Sequence, residues 1–163
     1  KEKDITLKIT QKVEELLKKK GAKVTMTRVK DVDVYGVNAT DAQELQARVD
    51  VAENSAADLF ISLHINASVN KNVGGFSSYY YPKTSHDARV ATAIQKRMTN
   101  SFGLDDLGIR QANFYVNKRS SMPSALIEMA FITNAKEEKL LNSNWFQSKL
   151  AKAIADGIDD YFK

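Results

Sequence analysis

Two apolar runs of strand length, far apart in the chain and each carrying one ionisable side chain, constrain this sequence more than any other feature. Residues 58–65 (DLFISLHI) lead up to His64, and Ser124–Phe131 (SALIEMAF) holds Glu128 in its middle. Runs this continuous predict strands covered on both faces. Around them the apolar spacing switches to three and four. Ile5, Ile9, Val13, Leu16 and Leu17 share one helical face, with Lys18, Lys19 and Lys20 toward its carboxyl end and Gly21 as the stop. Further helices fit residues 42–55, 87–102 and 144–162, the last with Phe146, Leu150, Ile154 and Ile158 in register. Shorter strands fit residues 22–28 (AKVTMTR), 76–81 and 114–116, with polar loops at 29–40, 66–75 and 103–113. Helices alternating with apolar strands predict an α/β fold, a single domain over residues 1–163. Its sheet should be largely parallel and twisted, with helices on both faces.

Composition narrows the chemistry. The chain has no cysteine, which excludes disulfide frameworks and thiolate metal sites, so any metal falls to two histidines and the carboxylates. No stretch of about 18 apolar residues occurs, so no membrane span is expected. A net charge of +4 suits weak attraction to polyanions without specifying one.

In open α/β sheets ligands gather beyond the carboxyl ends of strands, which directs attention to polar residues on buried strands. His64 qualifies, although taken alone it reads more plainly as a hydrogen-bonded histidine at a strand end. Glu128 is odder: a carboxylate in a buried strand costs several kcal/mol unless it is paired, bound to a cation or protonated. Two explanations stand side by side, a functional carboxylate or an ion pair with Arg48 or Arg110. Tyr79, Tyr80 and Tyr81 read as an ordinary strand before they read as a sugar platform. Asn66, Asn70 and Asn72 are loop residues that also suit substrate amides, Asn66 first among them. Ser62 lies inside a strand with no elbow motif, which argues against a nucleophile. His86 sits in a polar stretch at a helix approach and reads as solvated.

Four segments, in order, resemble the zinc-dependent N-acetylmuramoyl-L-alanine amidases of the amidase_3 group, cell-wall hydrolases of bacteria and their phages. Residues 59–67 (LFISLHINA) resemble the family's "SIHANA" signature, and residues 2–7 (EKDITL) its "EKDxNL" opening. Thr27-Arg28, then Leu45, Arg48 and Asn54, resemble its "TR…L..R…AN" stretch. Residues 113–116 (NFYV) with 123–134 (PSALIEMAFITN) resemble its ending. The resemblance implies a Zn2+ cofactor held by Glu2 and His64, with Glu128 as the catalytic glutamate. It implies hydrolysis of the amide between N-acetylmuramic acid and L-alanine in peptidoglycan, by a secreted or phage-encoded enzyme acting on the wall. Anionic wall polymers are further possible partners; no nucleic-acid partner is expected, since Lys18–Lys20 reads as a solvated helix end.

The sequence also departs from that pattern. The family's first histidine, in a "GHGG" loop after its first strand, has no counterpart. The catalytic domain is therefore expected to extend upstream of Lys1, with that histidine and strand there. Thr6 stands for the usual Asn, and Ala130 for the usual Gly after the catalytic glutamate, where it is expected to narrow the cleft floor slightly. Because two protein ligands make a poor catalytic zinc site, the competing expectation is a wall-binding or regulatory domain of the same fold.

Overall fold

A computed structural model describes residues 1–163. Six helices and four strands follow in the order α1 (Glu2–Lys19), α2 (Asp41–Asn54), β1 (Phe60–Asn66), β2 (Phe76–Tyr80), α3 (Ser85–Ser101), β3 (Asp106–Gln111), α4 (Tyr115–Arg119), β4 (Ser124–Phe131), α5 (Ala135–Leu141) and α6 (Asn144–Phe162). Four of the helices begin where side chains satisfy their first N–H groups. Thr40 with Gln43 and Thr84 with Asp87 form capping boxes on α2 and α3, and Asn134 and Ser143 cap α5 and α6. Gly21 ends α1 with φ +88°, and the Ala22 N–H returns to the Leu17 carbonyl.

The sheet order is β1-β4-β2-β3. β1 pairs parallel to β4 and β2 parallel to β3, while β2 runs antiparallel to β4. The expected α/β domain with a mostly parallel sheet is therefore what forms. Alternation along β1 and β4 sorts side chains between two cores. Ile61, Leu63 and Ile65, with Ala125, Ile127 and Met129, face a large core shared with α1, α3 and α6. Phe60 faces a smaller one with Val49 and Ala52 of α2 and Val116 of α4. Ser62 and His64 follow Phe60 by period two and so lie on the α2/α4 face.

Several expectations need correction. Residues 22–28 form no strand, because their polar groups turn toward α1: Arg28 donates to the Lys3 carbonyl at 2.6 Å and to Thr6 Oγ1 at 3.4 Å. Residues 114–116 are not a strand either. Phe114 is extended only as the N-cap of α4, whose Val116 is buried. Conversely, residues 106–111 form the edge strand β3, and α5 was not anticipated. β1 is also an edge strand, and Phe60 and Ile65 alone among its residues are fully buried, so it is less covered than its composition implied.

Candidate active site

Three strands bring one polar residue each into a single row. In the β1/β4 ladder His64 is opposite Glu128, and in the β2/β4 ladder Ser77 is opposite Glu128. Paired residues on adjacent strands project from the same face. The row His64–Glu128–Ser77 therefore lies on the α2/α4 side of the sheet, toward the carboxyl end of β1. Just beyond it the register slips: His64 matches Glu128, but Asn66 matches Phe131, so β4 carries one extra residue. That residue is at Ala130, whose φ of +79° is left-handed backbone that a β-carbon disfavours. The bulge is clamped from behind. Glu137, 4% exposed, accepts the Phe131 and Gly75 N–H groups, both at 2.7 Å. Gly75 itself has φ +110°, and a β-carbon there would collide with the Asp105 carbonyl. Burial raises the Glu137 carboxyl above its ordinary pKa, and the two amides only partly offset this.

α1 delivers Glu2 to the same row. Its Oε1 lies 3.3 Å from His64 Nδ1 and accepts the Ile65 N–H at 3.3 Å. The His64 hydrogen bond holds the Glu2 carboxyl below the ordinary carboxylate range, against the opposing pull of desolvation. On the other side of the ring, His64 Nε2 meets Ser62 Oγ at 2.9 Å. With Nδ1–H donating to Glu2, Nε2 accepts from the Ser62 hydroxyl. Ser62 remains inside β1, away from any strand-to-helix turn.

Glu128 has no ion pair. Arg48 is committed to Glu44, with its Nη2 3.1 Å from Oε1, and Arg110 lies exposed on β3. The ion-pair reading of the sequence is thereby excluded. Glu128 Oε2 is buried with no hydrogen-bond partner at all. Burial pushes its carboxyl up to about 7; the His64 charge opposes this, and the Glu2 carboxylate adds to it. A carboxyl poised near neutrality, unpaired and aimed into a polar row, is suited to accepting and returning protons.

The remaining candidates are placed as follows. Asn66 spends its side-chain oxygen on the Ala67 N–H at 2.8 Å, and Asn70 spends its own on Asn72. His86 is exposed on α3, where its Nδ1 lies 3.2 Å from the Tyr161 hydroxyl of α6, outside the row. Tyr79 packs edge-on against Phe114 within the fold, and Tyr81, just past the end of β2, lies under Lys118. Ala130 does not reach the cleft floor as expected, because the left-handed turn carries it into the large core, fully buried. Ser77 was missed by the sequence reading. No group of three His, Asp or Glu side chains is assembled to hold a metal within the chain.

Known proteins resemble this chain along nearly its whole length. The amidase_3 profile, N-acetylmuramoyl-L-alanine amidase, matches residues 1–160. The chain is 35% identical to the N-acetylmuramoyl-L-alanine amidase LytC of Bacillus subtilis, over 99% of this chain and 31% of LytC. It is 34% identical to the germination-specific N-acetylmuramoyl-L-alanine amidase of the same organism, over 99% of this chain and 70% of that protein. It thus spans about a third of the first relative and most of the second. The fold superimposes on the catalytic domain of CwlV, an N-acetylmuramoyl-L-alanine amidase from Bacillus (Paenibacillus) polymyxa var. colistinus. The TM-score is 0.86 at 36% identity, covering 99% of this chain and 84% of that one. The profile match over residues 1–160, with relatives and a fold that agree along nearly the whole chain, shows that the chain belongs to the amidase_3 family of N-acetylmuramoyl-L-alanine amidases.

Proposed function

We propose that the protein is a zinc-dependent peptidoglycan amidase that cleaves the bond between the lactyl group of N-acetylmuramic acid and the L-alanine of the stem peptide. The observation that carries this reading is the unpaired Glu128, its Oε2 buried, beside His64 and Glu2. The donor chemistry fits zinc, since one imidazole nitrogen and one carboxylate oxygen converge within hydrogen-bonding distance of each other. These are two of the three protein ligands a catalytic zinc takes. The family's further histidine, in its GHGG loop, has no counterpart within residues 1–163. Zinc held by Glu2 and His64 supplies Lewis-acid polarisation of the scissile carbonyl and acidifies a water.

The chain's own residues do the rest. The Glu128 carboxyl accepts the proton of the attacking water and returns it to the amide nitrogen as the carbon–nitrogen bond breaks. A carboxyl near pH 7 performs both halves, because neither form is strongly favoured. Without a metal, Glu2 holds the His64 ring through Nδ1, so the carboxylate and imidazole that would share the ion already stand side by side. The Asn66 amide nitrogen, whose side-chain oxygen is already engaged, is free to meet a substrate carbonyl. The enzyme acts on the wall from outside the cell, or as a phage product.

Two ligands in place of three favour one competing reading, a wall-binding domain without turnover. Zinc titration paired with release of soluble fragments from labelled wall separates them. The amidase reading expects stoichiometric zinc and turnover that Glu128→Ala abolishes. Tight wall binding without turnover, zinc present, supports the competitor.

A further inference from the structure

We propose that Ser77 is a positioning residue for Glu128, its hydroxyl hydrogen-bonding the Glu128 carboxyl directly or through one water. The inference rests on the reading of Glu128 as the base. Its starting point is that almost every buried polar side chain in this fold has a partner. The exceptions are Ser77 Oγ, Glu128 Oε2 and the amide of Asn117. Native proteins leave few such atoms, so two of them on facing residues call for one explanation. Ser77 and Glu128 are directly opposite in the β2/β4 ladder. Across such a pair the β-carbons are roughly 4.5–5.5 Å apart, which puts a serine oxygen and a glutamate carboxyl within reach of each other by rotamer adjustment.

The neighbours leave Ser77 no other role. Along β2, Ser78 faces the large core and donates to Gln95 of α3 at 2.7 Å. Ser77 therefore faces the opposite side, with Tyr79, which is engaged by Phe114. Ser62, the other hydroxyl on this face, is taken by His64. Ser77 is 1% exposed, so bulk water does not serve its hydroxyl. A buried, unsatisfied hydroxyl is costly, and a β-branched residue would pack a central strand better. Serine there makes chemical sense as a neutral partner. A hydroxyl donates to the carboxylate and, by rotating, accepts from the protonated acid, so it stays bonded through both halves of a proton shuttle. Lysine or arginine would instead lock the charged form.

The test compares Ser77→Ala, Ser77→Thr and Glu128→Gln in the zinc-loaded protein, using a defined muropeptide. Ser77→Ala should lower kcat roughly 10- to 100-fold, the usual scale for a hydrogen bond to a charged group, with KM, zinc content and melting temperature little changed. Ser77→Thr keeps the hydroxyl and should recover kcat to within a few-fold. An independent readout is the infrared carboxyl band of Glu128, isolated as wild type minus Glu128→Gln in chelated protein; it should move in Ser77→Ala and not in Ser77→Thr. If Ser77→Ala does not fold, Ser77→Cys takes its place with the same expectation. Wild-type kcat with an unmoved band, while Glu128→Gln is inactive, overturns the role of Ser77 and leaves the base assignment standing. Full activity in Glu128→Gln overturns both.

Discussion

Replacing Glu128 by Gln removes a carboxyl that the fold holds away from water, and the consequence for stability can be worked from its burial. The folded carboxyl titrates at about 7 against an ordinary value of 4.5, because desolvation outweighs the favourable His64 charge. A raised folded pKa means that the native state binds the proton more tightly than the unfolded chain. Stability is therefore complete below about pH 4.5 and is lost as pH rises through 7. At roughly 1.36 kcal/mol per pH unit the full loss is at most about 3–4 kcal/mol. Only Oε2 is sealed, so solvent screening around the rest of the carboxyl reduces this to about 1–2 kcal/mol. Glu128→Gln lacks the titration and should be more stable than wild type by that amount at pH 8, and equal to it near pH 4. The assay is thermal unfolding with chelator at several pH values. At roughly 2–4 °C per kcal/mol for a chain of this size, the variant should melt about 2–8 °C higher at pH 8. Coincident melting curves at pH 8, or a difference that does not change with pH, refute the buried-carboxyl reasoning. The same variant should lose turnover by about 10²–10⁴-fold, which would make Glu128 a residue kept at a cost to stability.

Other perturbations have separate signatures. His64→Ala should lower both zinc content, by metal analysis, and activity, with excess zinc restoring little; full zinc occupancy in this variant would remove His64 from the ligand set. Asp87 is fully buried, pairs with Lys83 at 2.7 Å and accepts the Ser124 N–H at 3.0 Å, so Asp87→Ala should cost about 3–5 kcal/mol in urea unfolding. Desolvation of Asp87 is outweighed by the Lys83 and backbone hydrogen bonds, which lower its pKa; its contribution is therefore present above pH 3.8 and fades as acid is added below that. Ala130→Gly relieves a left-handed backbone at the cost of one buried methyl. It should be neutral or stabilising by up to about 1 kcal/mol, and a loss of 2 kcal/mol would show that the methyl outweighs the strain.

The elements that the sequence disclosed are those whose apolar residues repeat with a clear period. α1, α3 and α6 each bury one stripe in a shared core, and β4 is apolar almost throughout because helices or strands cover it on every side. Edge position erased the same signal elsewhere. β3 reads DLGIRQ because its residues are mostly exposed, and no alternation survives to mark a strand. Residues 22–28 show the reverse failure. Their valine and threonines suit a strand, but pairing needs a partner edge, and Arg28 instead ties the segment to α1. Propensity reports what a segment tolerates; tertiary hydrogen bonds decide what it becomes.

The site was legible to the degree that its residues broke a pattern. Glu128 stood out because a carboxylate in SALIEMAF has no structural excuse, and the structure supplies none: neither candidate arginine reaches it. His64 ended its run and was visible for the same reason. Glu2 was not legible from composition, because an acidic residue in a first helical turn is favoured by the helix dipole whatever else it does. Its contact with His64 is a tertiary fact, made by a helix 62 residues away in sequence. Ser77 was the least legible of all. Serine is small enough to pass unnoticed in FSSYY, and its neighbour Ser78 has the same identity with an ordinary partner in Gln95. What distinguishes the two serines is the parity of the strand and the register against β4. These turn one hydroxyl toward a helix that answers it and the other toward a carboxylate that, without it, has no partner.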